Sequence, residues 1–358
     1  MSAVASPLSN RALMYWEGRS DGGSEAVLGH IVAAWRGSGR EALLASCGEE
    51  PAPLGLRWSG QGGRYLHATA AAAPSARSGT AVPPPFPPWW RPLLTRERPQ
   101  VVLANDGGYP WHLTCLRAVC EARAAGAPRV VLAIHSTPEP GGREEDQWRV
   151  DARVADACDA IVVGSPALAR AVAHERPGLA ERLRVIPYGV ADPGPPPAPA
   201  GPTTGPVRLG LASELRGPRK GQLVLLEALR RLRLPAGSWE LAIAGDGAYA
   251  PELARHVAEA NLPVHLLGRL GPAEMRRFYR GLDLYVLPSL QEGLSLTVLE
   301  AMAHGLPVVT TDVGGHRDAV VDGLTGRLVP PGDAVALAAA LEVLCRDGLA
   351  RRALGAAG

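Results

Sequence analysis

Residues 289–309 read Ser-Leu-Gln-Glu-Gly-Leu-Ser-Leu-Thr-Val-Leu-Glu-Ala-Met-Ala-His-Gly-Leu-Pro-Val-Val, a glycine loop followed by a helix-forming run. Ser295 suits the N-cap position, residues 296–304 suit a helix, and Gly305 suits the position just after it. The backbone amides of the loop lie near the positive end of the helix dipole. The stretch therefore predicts a seat for an anion.

Two carboxylates flank this seat, Glu292 in the loop and Glu300 inside the helix. The helical rise places Glu300 about 1.5 turns along the helix, roughly 7–8 Å from its start. That spacing suits a ligand with phosphate in the middle and hydroxyls at both ends, such as a nucleotide-sugar. An incidental glutamate on a buried helix explains Glu300 alone, but it does not explain the loop, the cap and the paired acids together.

A second feature is the scarcity of lysine. The chain has 37 lysines and arginines, and Lys220 is the single lysine among them. It lies in residues 216–222, Arg-Gly-Pro-Arg-Lys-Gly-Gln, directly before a helical pattern. A basic cluster that opens a helix favours a diphosphate clamp made by Lys220 with Arg216 and Arg219. The alternative is a lysine retained by chance on a solvated turn.

Composition excludes several classes of protein. A net charge of +2, with no basic stripe, gives no reason to expect a nucleic-acid partner. The five cysteines show no C-x-x-C spacing, which favours reduced thiols in a cytoplasmic protein. No signal peptide is recognisable, and no apolar run approaches the about 18–20 residues of a membrane-spanning helix. There is no D-x-D motif or metal-ligand spacing, so we expect neither a bound metal nor a cofactor.

A proline-rich stretch at 192–206 predicts a linker between two domains. On both sides, short β-like runs alternate with helical patterns, which indicates parallel α/β sheets. We predict an N-terminal Rossmann-like domain at 1–190, a linker at 191–206 and a C-terminal, donor-binding domain at 207–358. The predicted strands are 12–16, 42–46, 101–104, 130–134, 161–163, 207–211, 241–244, 265–267, 284–286 and 307–310, and the main predicted helices of the C-terminal half are 224–232, 274–279 and 334–345.

The N-terminal half carries weaker signals. Gly22 and Gly23 follow the first strand, where glycine allows the backbone to approach a ligand closely. His135 ends a predicted strand, where an imidazole can bond hydroxyls or carry a proton, although a lone histidine is more often structural. Asp106 and Tyr109 follow another strand end and are acceptor-side candidates.

We interpret 68–90 as an irregular insertion in the N-terminal domain. Its two tryptophans either contact an acceptor or a membrane, or they pack on their own domain, and we favour the packing.

Residues 289–309 resemble the E-x7-E element of the retaining glycosyltransferases of family 4, which have the two-domain GT-B fold. In that family the first acid faces the hydroxyls of the donor sugar and the second binds the nucleotide ribose. Family members also have a Gly-Gly loop that closes over the donor, and a histidine at a strand end that contacts the donor hexose. The resemblance thus implies donor binding by Gly22, Gly23, Arg216, Arg219, Lys220, Glu292, Gly293, Leu294, Ser295 and Glu300, with His135, Glu292 and Lys220 serving catalysis.

One departure affects the clamp. Family members carry an arginine five or six residues before a Lys-Gly pair, and here those positions hold Leu215 and Glu214. Arg216 or Arg219 is the available substitute.

The resemblance implies a GT-B fold, with two Rossmann-like domains facing each other across a cleft. It also implies metal-independent transfer of a hexosyl-type group, with retention, from a UDP- or GDP-sugar to a small-molecule, glycan or lipid acceptor. Two alternatives stay open at this point. One is a sugar-nucleotide epimerase or a phosphorylase, and the other is a non-catalytic partner subunit that binds sugar nucleotides.

Overall fold

The computed structural model describes residues 11–16, 23–48, 51, 53–69, 88–107, 113–138, 145–194 and 205–358. The chain divides into two compact domains, Met1–Tyr188 and Gly189–Gly358. Each is built on its own parallel sheet with helices in the connections, the arrangement that alternating strand and helix patterns predict. Within the described residues, no helix is long and apolar enough to cross a membrane.

The N-terminal domain contains a seven-stranded parallel sheet. Its described strands are β1 (Arg11–Trp16), β2 (Glu41–Gly48), β3 (Arg64–Thr69), β4 (Val101–Asp106), β5 (Arg129–Ile134), β6 (Ala160–Val163) and β7 (Leu183–Val185). Its described helices are α1 (Gly23–Gly37), α2 (Pro53–Gly60), α3 (Trp90–Glu97), α4 (Leu113–Ala124), α5 (Glu145–Ala157) and α6 (Pro166–Glu175), with a 3-10 helix at Pro177–Arg182. The strand order is β3-β2-β1-β4-β5-β6-β7.

Both faces of this sheet are buried. Along β1, Leu13 and Tyr15 enter one apolar cluster, while Met14 and Trp16 enter another. A parallel sheet with helices on both faces requires apolar side chains in both directions. This is why β1 is a continuous apolar run rather than an alternating one.

The C-terminal domain contains a six-stranded parallel sheet. Its strands are β8 (Val207–Ala212), β9 (Trp239–Ala244), β10 (Val264–Gly268), β11 (Leu284–Leu287), β12 (Val308–Thr311) and β13 (Gly326–Val329). Its helices are α7 (Gln222–Arg230), α8 (Ala250–Ala260), α9 (Pro272–Arg280), α10 (Leu296–Ala303), α11 (His316–Ala319), α12 (Ala334–Arg346) and α13 (Gly348–Ala357), with a 3-10 turn at Pro218–Lys220. The strand order is β10-β9-β8-β11-β12-β13, the order of a doubly wound nucleotide-binding sheet.

All ten predicted strands are present, and each end lies within two residues of its predicted position. Three further strands, β3, β7 and β13, were not predicted, and all three lie at an edge of their sheet. Edge strands are short and tolerate polar residues, so their apolar pattern is weak. The two predicted Rossmann-like sheets are confirmed.

Part of the predicted insertion at 68–90 lies outside the described residues. Trp90, at the start of α3, is fully buried, with its ring 5.0 Å from that of Tyr15. Trp89 packs edge-on against Trp90 at 5.8 Å. The preferred interpretation, that both tryptophans pack on their own domain, is therefore confirmed.

Candidate functional site

In the C-terminal domain, the loops that follow β8 and β11 pack directly on each other. The amide of Leu290 donates to the carbonyl of Arg219 at 2.8 Å. Gly221 has a φ of +75°, and a Cβ there would lie 1.8 Å from the carbonyl oxygen of Pro288. Only glycine permits that backbone and that approach. The loop containing Lys220 is therefore fixed against the loop containing Glu292.

Lys220 and Glu292 form an ion pair at the contact between these loops. Nζ of Lys220 lies 2.5 Å from Oε2 of Glu292, and the two side chains are 20% and 12% exposed. Burial alone would raise the pKa of Glu292, but Lys220, His316 and Arg219 lower it, and the net pKa lies below its ordinary value. Glu292 is thus an anion held by the single lysine of the chain.

A third loop, after β12, supports Glu292 from behind, and it was not predicted from the sequence. Gly314 has a φ of +50°, and a Cβ there would lie 2.1 Å from the carbonyl oxygen of Glu292. The amide of Gly315 donates to the carbonyl of Gly293. The signal was available in the sequence, since a glycine pair two residues after a parallel strand marks close backbone approach.

His316, at the end of that loop, was also missed. It is fully buried, and its Nδ1 lies 3.1 Å from the carbonyl oxygen of Thr311. Because a carbonyl can only accept, Nδ1 must carry the proton. Burial lowers the pKa of His316, against the opposing effect of Glu292. A neutral ring therefore lies in the wall behind the ion pair.

Helix α10 begins where the sequence predicts and ends at Ala303, one residue before the predicted end, with Ser295 at the N-cap and Gly305 at a φ of +72°. The predicted capping contact is wrong, because the Ser295 side chain makes no cap hydrogen bond. Its hydroxyl lies 3.0 Å from that of Thr297 instead. Leu294 and Ser295 are buried, so this loop presents backbone more than side chains.

Glu300 is partly buried on α10 and is oriented by a tyrosine that the sequence did not single out. The hydroxyl of Tyr279 donates to Oε2 of Glu300 at 2.7 Å. Burial raises the pKa of Tyr279 well above its ordinary value, and Tyr285 and Glu300 add to this. The phenol therefore stays protonated and keeps its role as donor to the carboxylate.

The basic residues before Lys220 are not equivalent. Leu215, at one of the two family arginine positions, is buried in the core of the domain. Glu214, at the other, bonds Nε of Arg216 at 2.7 Å. Arg219 contributes to the low pKa of Glu292, and its carbonyl accepts from the amide of Leu290 in the neighbouring loop. Arg219 is thus fixed beside the loop of Glu292 as a candidate to assist Lys220.

In the N-terminal domain, His135 follows β5 and makes two short hydrogen bonds. Its Nε2 lies 2.7 Å from Oδ1 of Asn105, and its Nδ1 lies 2.6 Å from the hydroxyl of Tyr188. Burial lowers the pKa of the imidazole to about 4. His135 is consequently neutral at physiological pH. Neither of its two partners was predicted from the sequence.

Two of the remaining predicted residues of this domain, Asp106 and Gly23, lie close to His135 and its partners, since Gly23 precedes Ser24, whose carbonyl accepts from Asn105. Asp106 ends β4 and is fully buried, and its carbonyl accepts from the amide of His135 at 3.2 Å. Gly23 is the first residue of α1 and is exposed. Gly22 and Tyr109 lie outside the described residues.

Both domains match family models of glycosyltransferases. Residues 21–192 match "Glycosyltransferase Family 4", and residues 206–347 match "Glycosyl transferases group 1". Together the two matches take in most of the chain, which therefore belongs to the glycosyltransferases of the family 4 type.

Individual relatives agree in class. The chain is 31% identical over 271 residues to a glycogen synthase of Mycobacterium tuberculosis, a match that covers 72% of this chain and 64% of that protein. It is 35% identical over 148 residues to a phosphatidyl-myo-inositol mannosyltransferase of Mycobacterium leprae, covering 39% of this chain and 38% of that one. The chain thus spans less than two thirds of the length of either relative.

Among solved structures, Anabaena HepE in complex with UDP-glucose superimposes with a TM-score of 0.76. The sequence identity is 21%, and the alignment covers 97% of this chain and 93% of the other. The structural neighbours are GT-B glycosyltransferases, so the GT-B fold class predicted from the sequence is confirmed.

Proposed function

We propose that this protein transfers a hexosyl-type group from a nucleotide diphosphate sugar to an acceptor hydroxyl, with retention at the anomeric carbon and without a metal ion. The observation that carries this proposal is the Lys220–Glu292 ion pair, held by three loops at the carboxyl edge of the C-terminal sheet. In doubly wound sheets, ligands bind at that edge.

Glycosyl transfer places its main demand on the leaving group, because negative charge grows on the diphosphate as the glycosidic bond breaks. A fixed cation stabilises that charge more strongly in the transition state than in the ground state. Lys220 supplies this cation, with Arg219 close to the same carboxylate. When the diphosphate replaces Glu292 as the partner of Lys220, the oxygens of Glu292 become available to accept hydrogen bonds from the hydroxyls of the donor sugar.

Glu300 takes the role of ribose ligand in this proposal. One of its oxygens accepts from Tyr279, which fixes the plane of the carboxylate on α10. A carboxylate accepts several hydrogen bonds at once and can therefore hold a pair of ribose hydroxyls as well. The loop residues Gly293, Leu294 and Ser295 contribute backbone amides to the phosphates.

The reaction needs no nucleophile from the protein. The oxygen of the acceptor hydroxyl forms a bond to the anomeric carbon as the bond from that carbon to the diphosphate oxygen breaks. The departing oxygen takes the hydroxyl proton, and attack from the leaving-group side gives retention. A metal ion is unnecessary if Lys220 and the arginines neutralise the diphosphate. Among the described residues, no group of three or more His, Cys, Asp or Glu side chains is arranged to hold one.

In the N-terminal domain, we assign His135 a neutral hydrogen bond to the donor hexose. Its low pKa and its two occupied nitrogens oppose a role in proton transfer. Gly22 and Gly23 belong to the donor side, and Asp106 and Tyr109 to the acceptor side. The acceptor class comprises small molecules, glycans and lipids, and the proposed location is the cytoplasm.

UDP- and GDP-sugars are the proposed donors. In support, the solved structure of Anabaena HepE contains UDP-glucose. The family matches make an epimerase or a non-catalytic subunit the weaker alternatives.

A panel of UDP-, GDP- and dTDP-sugars tests the proposal. We expect one donor class to raise the melting temperature, since a true donor binds only the folded state, and to be hydrolysed slowly without an acceptor. Turnover should survive EDTA. NMR of the released or transferred sugar reports the anomeric configuration. Epimer formation would favour the epimerase, and stabilisation without any turnover would favour a binding subunit.

A further inference from the structure

A chain of hydrogen bonds in the N-terminal domain links four residues that are far apart in the sequence. Nδ2 of Asn105 donates to the carbonyl of Ser24 at 3.1 Å, on the first turn of α1. Oδ1 of Asn105 faces Nε2 of His135 at 2.7 Å. Nδ1 of His135 faces the hydroxyl of Tyr188 at 2.6 Å. Family resemblance predicts neither Asn105 nor Tyr188 as part of the site.

The direction of every bond in this chain follows from its first member. The Ser24 carbonyl can only accept, so the amide nitrogen of Asn105 must face it and the amide oxygen must face His135. That oxygen also can only accept, so Nε2 of His135 carries the proton. Nδ1 is then a lone pair, and the Tyr188 hydroxyl donates to it.

We propose that Tyr188 is a positioning residue, which together with Asn105 holds His135 as the neutral Nε2–H tautomer. The inference deepens the proposed function, on which it rests, by stating how His135 meets its substrate. The imidazole can donate to an oxygen of the sugar only by sharing the Nε2–H that already bonds Asn105, in a three-centre hydrogen bond. It cannot accept a proton from the acceptor hydroxyl, because its single lone pair is already used by Tyr188.

The packing around Tyr188 supports a fixed position for its phenol. The ring lies against Gly164, where a Cβ would be 2.2 Å from Cζ of Tyr188. It also lies 5.6 Å from the ring of His135. The tyrosine is the last residue of the N-terminal domain, and packing of its ring alone would not need a hydroxyl aimed at the imidazole.

Tyr188→Phe tests the proposal, with Tyr65→Phe as the matched control. Tyr65 also lies in the N-terminal domain and also packs its ring against a glycine, since a Cβ on Gly55 would lie 2.3 Å from that ring. Its hydroxyl also makes a hydrogen bond, to Ser46 at 2.7 Å. The first readout is long-range proton–nitrogen NMR of histidine-labelled full-length protein, with the His135 signal assigned from a His135→Gln variant. The second readout is donor hydrolysis.

We expect the parent protein to show His135 as the Nε2–H tautomer at pH 7. Tyr188→Phe should give a mixture of tautomers, because the acceptor nitrogen has lost its donor, and the pKa of His135 should rise. The kcat for hydrolysis should fall about fivefold to tenfold, the effect of one neutral hydrogen bond, while KM for the donor changes less than about twofold. Tyr65→Phe should leave the His135 signal and the rate unchanged.

An Nδ1–H tautomer or an imidazolium in the parent at pH 7 overturns the proposal, and this measurement does not depend on any variant folding. An unchanged His135 signal in Tyr188→Phe overturns it as well. If no donor is turned over by the parent, the proposed function fails, while the tautomer measurement still decides the role of Tyr188.

Discussion

The two domains organise the polar groups of their candidate sites in opposite ways. In the C-terminal domain the centre is a charged pair, Lys220 with Glu292, held by loops from three strands. In the N-terminal domain it is a neutral chain that runs from Ser24 through Asn105 and His135 to Tyr188. The charged pair thus lies in the domain proposed to hold the diphosphate, and the neutral chain in the domain proposed to meet sugar hydroxyls.

The difference has an energetic reason. A partly buried charge is tolerated only with a partner, so the Lys220–Glu292 pair preserves both charges until a ligand replaces one of them. A neutral chain of hydrogen bonds contains no charge that needs a partner. It requires only that each of its buried donors and acceptors is bonded. Removing a member should therefore have large effects in the C-terminal domain and smaller ones in the N-terminal domain.

The largest effect is expected from Lys220→Ala. Loss of one preorganised electrostatic contact should lower kcat for donor hydrolysis by about 10²–10³, with a smaller rise in KM. Lys220→Arg should recover only part of the rate, because the planar guanidinium cannot replace a compact charge at that reach. Arg255→Ala is the matched control, since it removes an ion pair of similar length, to Glu259 at 2.6 Å, from the exposed surface of the same domain. Turnover at the parental rate in Lys220→Ala would indicate that Arg219 or Arg216, and not Lys220, neutralises the diphosphate.

Gly314→Ala tests whether the third loop holds Glu292. Its positive φ alone costs about 1–2 kcal/mol for a residue with a side chain, and overlap with the Glu292 carbonyl should add about 1–3 kcal/mol. Urea unfolding measures the sum. Gly323→Ala is the control for strain without overlap, since Gly323 has a φ of +75° and no atom within 4 Å of a Cβ. Equal losses of unfolding free energy in the two variants would show that the loop moves away from the new Cβ without any further loss of stability, and that it does not hold Glu292 tightly.

Glu300→Gln should weaken binding of the free nucleotide diphosphate by about tenfold or more, because charged hydrogen bonds to hydroxyls contribute about 1.5–3 kcal/mol. The fold should remain intact, since the amide oxygen of glutamine can still accept from Tyr279. Calorimetric titration gives the affinity, and the melting temperature without ligand gives the control. Equal affinity in variant and parent would remove Glu300 from the site.

The smallest effect concerns pH and the neutral chain. The folded pKa of His135 is about 4, below the ordinary value of about 6.5, so the folded state binds fewer protons between these values. Stability should fall as the pH is lowered through this window, by roughly 1 kcal/mol between about pH 7 and about pH 5.5. His135→Gln should reduce the slope of unfolding free energy against pH but not abolish it, because burial also lowers the pKa of His316. An unchanged slope would show that His135 is not kept neutral by its surroundings.

Much of the fold could be predicted because its signals are local. The central strands are apolar runs, and α10 has a terminating glycine at Gly305 that adopts the expected positive φ. Ser165 caps α6 as Ser-Pro sequences do, accepting from the amide of Leu168 at 3.1 Å. Three of the four edge strands were missed because their short, partly polar sequences resemble loops, whereas the edge strand β10 was predicted. Lys220, Glu292 and Glu300 could be selected as candidates because composition and spacing single them out along the chain.

The sequence by itself therefore determined the two parallel-sheet domains and the chemical types of the residues placed at their strand ends. Tertiary structure alone decided which of those residues meet. Lys220 and Glu292 are 72 positions apart, and His135 and Tyr188 are 53 apart. Local patterns specify helices and strands, but such contacts depend on the order of strands in the sheet and on close backbone approaches such as that of Gly314 to Glu292. The Ser295 hydroxyl bonds Thr297 rather than capping its own helix. Its position in the sequence thus predicted the N-cap residue but not the hydrogen-bond partner of its side chain.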